Sequence, residues 1–468
     1  MTDRTPTDLV VVLPGITGST LYRDGRPIWK PSAGAILNAL FTLGGSLRSL
    51  TLPTGLGDEH PGDGVEAREL IDDVHAVPGL WTPIKGYGPL VARLESLGYR
   101  RPSADSPGNL LEMPYDWRLS NRYTAAWMAP LIERELGRWR DQGGRHADAK
   151  VHFACHSMGG LVARRYAAAH GGDHVGEIVT FGTPQRGSMN AVDQLVNGAP
   201  GKLGPLRGLV TDLARSLPSL HQLLPSYACV VEPGSTEPVH LDPAKLPGVN
   251  TVMASDGLAF HRELEVAEAA DARASERLHA ILGTNQPTSS TMRLVDGSVE
   301  LIEGYGEKDY RGDATVPLVA AVPKGVALTS NTLRHVPDNH GNLQRNAAAL
   351  DELEGILRAE PVVIKGGVQV PLSVSVPELI SAGEALQIVV AVDPGNRPGL
   401  HATVTPAGGA RGSGTTQVLR LQDGLARASF EDLAPGAYVV DVTGATAGSP
   451  VAPVSAATLV WDSRGQRQ

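Results

Sequence analysis

The string VHFACHSMGGLVARRYAAAH sets His156, Ser157, Met158 and Gly159 where an apolar run hands over to a helical pattern. A serine on such a turn, with small neighbours, has the form of a nucleophile elbow, G-x-S-x-G, with Cys155 in place of the first glycine. Cysteine is small enough for that position. A hydroxyl is a poor nucleophile until a base takes its proton, and the base needs a carboxylate to hold its tautomer. The order expected is serine, acid, histidine. Asp313 in YRGDATVPLVAA and His340 in NHGNLQRNAAAL follow at 156 and then 27 residues. Asp309 and Asp338 are rival acids and His335 is the rival base. His335 lies in the strand-like LRHV, whereas His340 sits on a loop entering a helix, which favours His340. The plainer reading of Ser157, an N-cap serine, leaves the glycine pair and the strand-helix junction unexplained.

A tetrahedral intermediate also needs backbone donors aimed at its oxyanion. The residue after the nucleophile, Met158, offers one N–H. The loop after the first strand, LPGITGSTL (13–21), offers the other, with Gly15 and Gly18 allowing close approach. Ile16 is the expected donor and Thr17 the second choice. The competing reading of PGITG as a phosphate turn fails, since it is neither G-x-G-x-x-G nor a P-loop.

Elements able to position these residues follow from periodicity. Apolar runs at 8–13, 109–116, 150–157 and 176–184 alternate with helical patterns around 87–97, 122–142 and 158–170. That rhythm predicts an α/β chain with a mostly parallel, doubly wound sheet. From about 190 to 290 prolines interrupt short apolar pieces, which predicts a cap insertion rather than sheet. Strand-like text returns at 291–304, and a helix from about 343 to 358 closes a catalytic unit spanning 1–360. After Glu360-Pro361, about seven short β-like segments separated by turn residues predict an immunoglobulin-like β-sandwich over 361–468.

The chain has 468 residues, 41 Lys+Arg and 50 Asp+Glu, for a net charge of −9, and 4% aromatics. No basic run is interleaved with aromatics, so nucleic acid is not an expected partner. Two cysteines make neither a disulfide framework nor a zinc site. The first residues, MTDRTPTDLV, lack a basic n-region, an apolar h-region and a cleavage site. The most apolar stretch, 33–47, is broken by Asn38, Gly44 and Gly45 and is too short to span a bilayer. A cytoplasmic chain is therefore expected, with peripheral membrane contact open to it.

The motifs resemble a family: lecithin:cholesterol acyltransferase with its lysosomal and bacterial phospholipase relatives, all α/β-hydrolases. The matching pieces are LPGITGSTL (13–21), PYDWRLS (114–120), CHSMGG (155–160), FGTPQRGS (181–188), GDATVP (312–317) and HGNL (340–343). The resemblance covers about 8–355 and says nothing of 361–468. It implies Ser157 as nucleophile, Asp313 as acid, His340 as base, and Ile16 with Met158 as oxyanion donors. Lid and membrane-touching regions are implied loosely at 29–50 and in the insertion. Without the disulfides and leader of the secreted animal members, lipoprotein activation and a cholesterol acceptor are not carried over.

The expected activity is serine-dependent lipid ester hydrolysis through an acyl-serine, with no metal and no cofactor. The same residues suit an O-acyltransferase. A binding protein with a vestigial hydrolase unit is the third reading. Tyr115, Asp116, Trp117 and Arg118 are expected to be architectural. The apolar spacing of Leu220 to Tyr227 suits either a cap over an acyl pocket or ordinary core, and Leu37, Leu40, Phe41 and Leu43 suit either a lipid-facing or a buried helix.

Overall fold

The computed structural model describes residues 5–30, 45, 47–72, 74, 82–171, 173–235, 237–305, 311–360, 369–392, 398–409, 413–446 and 449–462. In chain order the first strands are β1 (Leu9–Leu13), β2 (Ser19–Arg23), β3 (Arg26–Trp29), β4 (Val65–Leu70), β5 (Leu110–Glu112), β6 (Val151–His156) and β7 (Val175–Phe181). There follow β8 (Leu278–Gly283), β9 (Thr291–Val295), β10 (Ser298–Ile302) and β11 (Leu333–Val336).

Six of these form one sheet in the order β11-β8-β7-β6-β1-β5, and every pair in it is parallel. β1 reads LVVVL and is inaccessible throughout, as expected of a strand covered on both faces. Its side chains alternate. Leu9, Val11 and Leu13 pack into one apolar cluster, with the helices Asn121–Arg140 and Gly159–His170, while Val10 and Val12 enter another, with the helices Gly88–Ser96 and Ala347–Leu357. Each fully buried aliphatic contributes about 1.5–3 kcal/mol relative to exposure, so the two-sided burial of β1 anchors the loop that leaves its C-terminal end.

The region 190–290 departs from expectation at its end. Prolines do break up 200–250, but Thr251–Ala270 is an uninterrupted helix capped by Asn250, and β8 is a strand of the central sheet between β7 and β11. A buried six-residue strand directly after a helix and without a turn signal carries too little periodicity to announce itself. The closing helix is also shorter than expected. A 3₁₀ turn covers His340–Arg345, and the Asn346 side chain caps the amides of Ala348 and Ala349 to start the helix afresh.

Beyond residue 369 come β12 (Ser373–Ser375), β13 (Leu379–Ser381), β14 (Leu386–Ala391), β15 (Leu400–Pro406), β16 (Thr415–Val418), β17 (Arg420–Gln422), β18 (Leu425–Phe430), β19 (Gly436–Gly444) and β20 (Val454–Trp461). They lie in two sheets, β12-β14-β18-β17 and β13-β20-β19-β15-β16. Pairing is antiparallel except between β13 and β20. The arrangement is compatible with a sandwich.

Within the second sheet, β19 and β20 carry buried side chains on both faces, and strand alternation explains how. In β19 and β20, Tyr438, Val440, Val442, Val454 and Val460 face a core shared with the first sheet. Ala437, Ala457, Leu459 and Trp461 join the cluster of the α/β unit instead. The junction is polar as well. Buried Lys85 bonds the Ser455 hydroxyl and lies 3.7 Å from Asp441, and the Ser455 amide donates to Asp338 at 3.1 Å. Burial lowers the Lys85 ammonium from its ordinary range, against the pull of Asp441 and Asp338. Among the described residues no helix is long and apolar enough to cross a membrane.

Candidate active site

β6 ends at His156 and the next helix begins at Gly159, so Ser157 occupies the connecting turn with φ +51°. A left-handed backbone costs a non-glycine residue roughly 1–2 kcal/mol. Three hydrogen bonds hold it there: the Ser157 amide donates to Phe181 at 2.9 Å, and the Ser157 carbonyl accepts from Thr183 Oγ1 at 2.7 Å and Gly160 N at 3.1 Å. Close approach explains two glycines. A Cβ at Gly15 would lie 2.8 Å from Ser157 Cβ, and one at Gly182 would meet Asp313 Oδ2 at 2.8 Å and His340 Nδ1 at 3.0 Å.

His340 Nε2 stands 2.9 Å from Ser157 Oγ, and His340 Nδ1 stands 2.8 Å from Asp313 Oδ2. All three side chains are buried. Asp313 Oδ1 is occupied by the amides of Thr315 at 3.0 Å and Val316 at 2.7 Å, so Oδ2 is the oxygen left for the ring. A carboxylate accepts, so Nδ1 carries the proton and Nε2 presents its lone pair to the serine hydroxyl. The His340 amide donates to the Asp313 carbonyl at 2.7 Å, which locks the two loops together. That geometry suits proton abstraction from Ser157.

Ile16 and Met158 are inaccessible. Among the described residues neither of their amides donates to a protein acceptor. Buried amides without an acceptor are rare; Met158 directly follows Ser157, and Ile16 follows Gly15, where an added Cβ would lie 3.4 Å from Ser157 Oγ. Thr17 shares the loop, with φ +63° and a buried hydroxyl that has no partner.

The rivals are placed elsewhere. His335 points out from β11 and is exposed. Asp338 is buried among Asn342, Asn346 and the Ser455 amide, and loss of water pushes its carboxyl above the usual range. Asp309 lies outside the described residues. Tyr115 Oη donates to the Pro14 carbonyl at 2.8 Å and Trp117 Nε1 to Ser19 at 3.3 Å, so this motif braces the loop carrying Gly15 and Ile16. Inaccessible Arg118 is shared between Asp116 and Asp63. Leu220, Leu223, Leu224 and Tyr227 are core. Trp29 is buried edge-on against Trp117 and donates to Thr17 O at 2.9 Å. Leu37, Leu40, Phe41 and Leu43 lie outside the described residues.

Sequence reasoning missed a polar chain behind the serine. The Gly15 amide donates to Tyr87 Oη at 2.9 Å, so the phenol donates onward to His156 Nδ1 at 3.1 Å, and His156 Nε2–H donates to the His340 carbonyl at 3.0 Å. It ties the loop carrying Gly15 and Ile16 to the backbone of His340. Nothing in the spacing of Tyr87 announces this role, although His156 lay beside the elbow serine. Loss of water pushes the Tyr87 hydroxyl well above its ordinary range, so it stays protonated. Tyr87→Phe removes the acceptor of the Gly15 amide and the hydroxyl that donates to His156 Nδ1, and is expected to cost about 1–3 kcal/mol of stability, read as a lower midpoint in urea denaturation. The Cys155 thiol beside the elbow is likewise pushed up by burial and stays neutral.

The family model described as lecithin:cholesterol acyltransferase matches residues 62–250, which shows the resemblance carried by the motifs. Three of the six, PYDWRLS, CHSMGG and FGTPQRGS, fall inside that span. No curated protein matches the chain. Among solved structures, a chain of the Tle4–Tli4 complex is 17% identical, covers 77% of this chain and 98% of its own, and has a TM-score of 0.46. An engineered protein is 12% identical over 97% of this chain and 93% of its own, with a TM-score of 0.19. Neither likeness bears on function.

Proposed function

We propose that this chain, whose residues 62–250 match the lecithin:cholesterol acyltransferase family model, hydrolyses lipid esters through an acyl-serine on an α/β-hydrolase catalytic unit spanning 1–360. The single observation that carries this reading is the unbroken line Asp313 Oδ2 to His340 Nδ1 at 2.8 Å and His340 Nε2 to Ser157 Oγ at 2.9 Å. In the proposed reaction His340 Nε2 takes the hydroxyl proton while Ser157 Oγ attacks the ester carbonyl carbon. The carbonyl oxygen becomes an oxyanion received by the Ile16 and Met158 amides, each donor worth about 3–4 kcal/mol. The C–O bond to the leaving alcohol breaks as His340 returns its proton to that oxygen. Water, deprotonated by the same nitrogen, then adds to the acyl carbon, and the C–Oγ bond breaks as His340 returns that proton to Ser157 Oγ and the carboxylic acid is released. Asp313 stabilises the imidazolium in both halves.

Transfer to an alcohol uses the same groups with an alcohol in the place of water. The test is a vesicle of acyl-labelled phospholipid, incubated with the full chain with and without a long-chain alcohol. Hydrolysis is expected to give labelled free fatty acid in both arms. A labelled ester appearing at the expense of fatty acid when alcohol is present would establish an O-acyltransferase, and no label released in either arm would remove phospholipid as substrate. Residues 361–468 are proposed to be an immunoglobulin-like β-sandwich, and the lipid interface is proposed to be reached peripherally.

A further inference from the structure

Residues 284–290, which the sequence assigns to the end of the cap, run as a buried strap between the sheet and the β-strands beyond residue 369. Gln286 in the middle of it is inaccessible. Its backbone amide donates to the Gly312 carbonyl at 3.0 Å, immediately before Asp313. Its side chain does something unusual. Gln286 Oε1 accepts the Val374 amide at 2.9 Å, while Nε2 donates to the Leu372 carbonyl at 3.0 Å. Those are the amide and carbonyl on either side of Ser373, on the outer side of β12, which is the edge strand of its sheet. An edge strand presents unpaired N–H and C=O groups, and a carboxamide carries the same donor and acceptor as a peptide unit. The glutamine side chain therefore takes the place of one residue of a neighbouring strand.

Thr288 completes the clamp. Its hydroxyl donates to the Gln286 carbonyl at 2.8 Å and accepts the amides of Gly312 at 3.1 Å and Ala314 at 2.9 Å. Ala314 has φ +73°, a strained conformation for alanine that needs outside support. Both residues flanking Asp313 are thus held from one hydroxyl and one amide, and these in turn are held by β12.

We propose that Gln286 is a positioning residue through which the C-terminal strands hold the Asp313 loop in register with His340. The inference rests on the acyl-serine reading for its catalytic consequence. It makes residues 369–462 a working part of the catalytic unit rather than an appended module. Asp313 can orient the imidazole only if its carboxylate stays within a few tenths of an ångström of Nδ1, and a loop released from Gln286 and Thr288 loses three of the bonds that fix its backbone.

The test uses the full chain as wild type, Gln286→Met, Thr288→Val and Thr288→Ser, with Ser157→Ala as control. Three quantities are read: kcat and KM on a short-chain nitrophenyl ester, the rate of labelling by a fluorophosphonate, and the downfield proton resonance of the His340 Nδ1–H shared with Asp313. Gln286→Met keeps the volume and removes the pairing. It is expected to lower kcat and the labelling rate roughly 10- to 100-fold with KM unchanged, and to broaden or shift the resonance. Thr288→Val is expected to do the same, and Thr288→Ser, which keeps the hydroxyl, to recover most of the loss. Wild-type labelling and an unmoved resonance in folded Gln286→Met overturn the proposal. So does a loss that merely tracks the unfolded fraction by circular dichroism. If Gln286→Met fails to fold, the contrast between Thr288→Val and Thr288→Ser decides. A wild type that does not label, or a Ser157→Ala that does, overturns the acyl-serine reading instead, while the resonance still decides the role of Gln286.

Discussion

Ser157→Ala is expected to reduce ester hydrolysis by about 10⁵- to 10⁶-fold in kcat, and to abolish covalent labelling by a fluorophosphonate. At about 1.36 kcal/mol per tenfold, that is about 7–8 kcal/mol of barrier. Removing Oγ removes the hydroxyl that His340 Nε2 faces at 2.9 Å, and with it the nucleophile whose oxyanion the Ile16 and Met158 amides are proposed to receive. The fold should survive, because the bonds holding residue 157 at φ +51° are made by its backbone to Phe181, Thr183 and Gly160 rather than by its hydroxyl. Initial rates at matched circular dichroism measure the effect. An alanine variant retaining more than about a hundredth of the wild-type rate would falsify the assignment of Ser157 as nucleophile, since the residual catalysis of a triad without its serine is far smaller.

The second large effect is expected from Asp313→Asn, about 10⁴-fold in kcat. The direction follows from the hydrogen bonds. Oδ1 accepts two backbone amides, from Thr315 and Val316, and these can only be met by the amide oxygen of an asparagine. The new NH2 group then stands where Oδ2 stood, facing His340 Nδ1. Two donors cannot face each other, so the ring gives up its Nδ1 proton and carries it on Nε2. That nitrogen can then no longer accept the proton of Ser157 Oγ. The volume hardly changes, so the loss should appear in kcat and in the labelling rate with little change in denaturation midpoint. Asp338→Asn is the contrast. Its oxygens receive Asn342, Asn346 and the Ser455 amide and face no part of the Ser157 and His340 pair. It should therefore alter stability while each folded molecule keeps its rate. Equal losses in the two variants would mean that the acid had been assigned to the wrong loop.

How much of this was legible beforehand differs residue by residue. Ser157 was readable because an elbow is a local object: a strand, a tight turn and a helix within about 20 residues, with small side chains where backbones nearly touch. The central strands were readable for the same reason, β1 as an unbroken VVVL run and β6 as HFAC. β8 was not, because LHAILG is short, mixes His279 among its apolar residues and directly follows a short helix, so it has no period of its own. The choice of His340 over His335 came from context, a loop end against a strand, and in the fold the first stands within reach of Ser157 and the second lies on the surface. Tyr87 and Gln286 left no trace in composition or spacing, since each acts by pairing with the backbone of residues 72 and 88 positions away.

The amino-acid sequence by itself determined which residue types were present to do chemistry, the strand-helix alternation that makes the sheet parallel, and the family resemblance. These rest on local periodicity, on turn chemistry and on motifs. Tertiary structure alone decided which acid meets which ring, and that the strands after residue 369 reach back to the Asp313 loop. Those pairings span from 27 to 183 residues along the chain, and a contact at such separation depends on the order in which strands pack, to which no single stretch of sequence is sensitive.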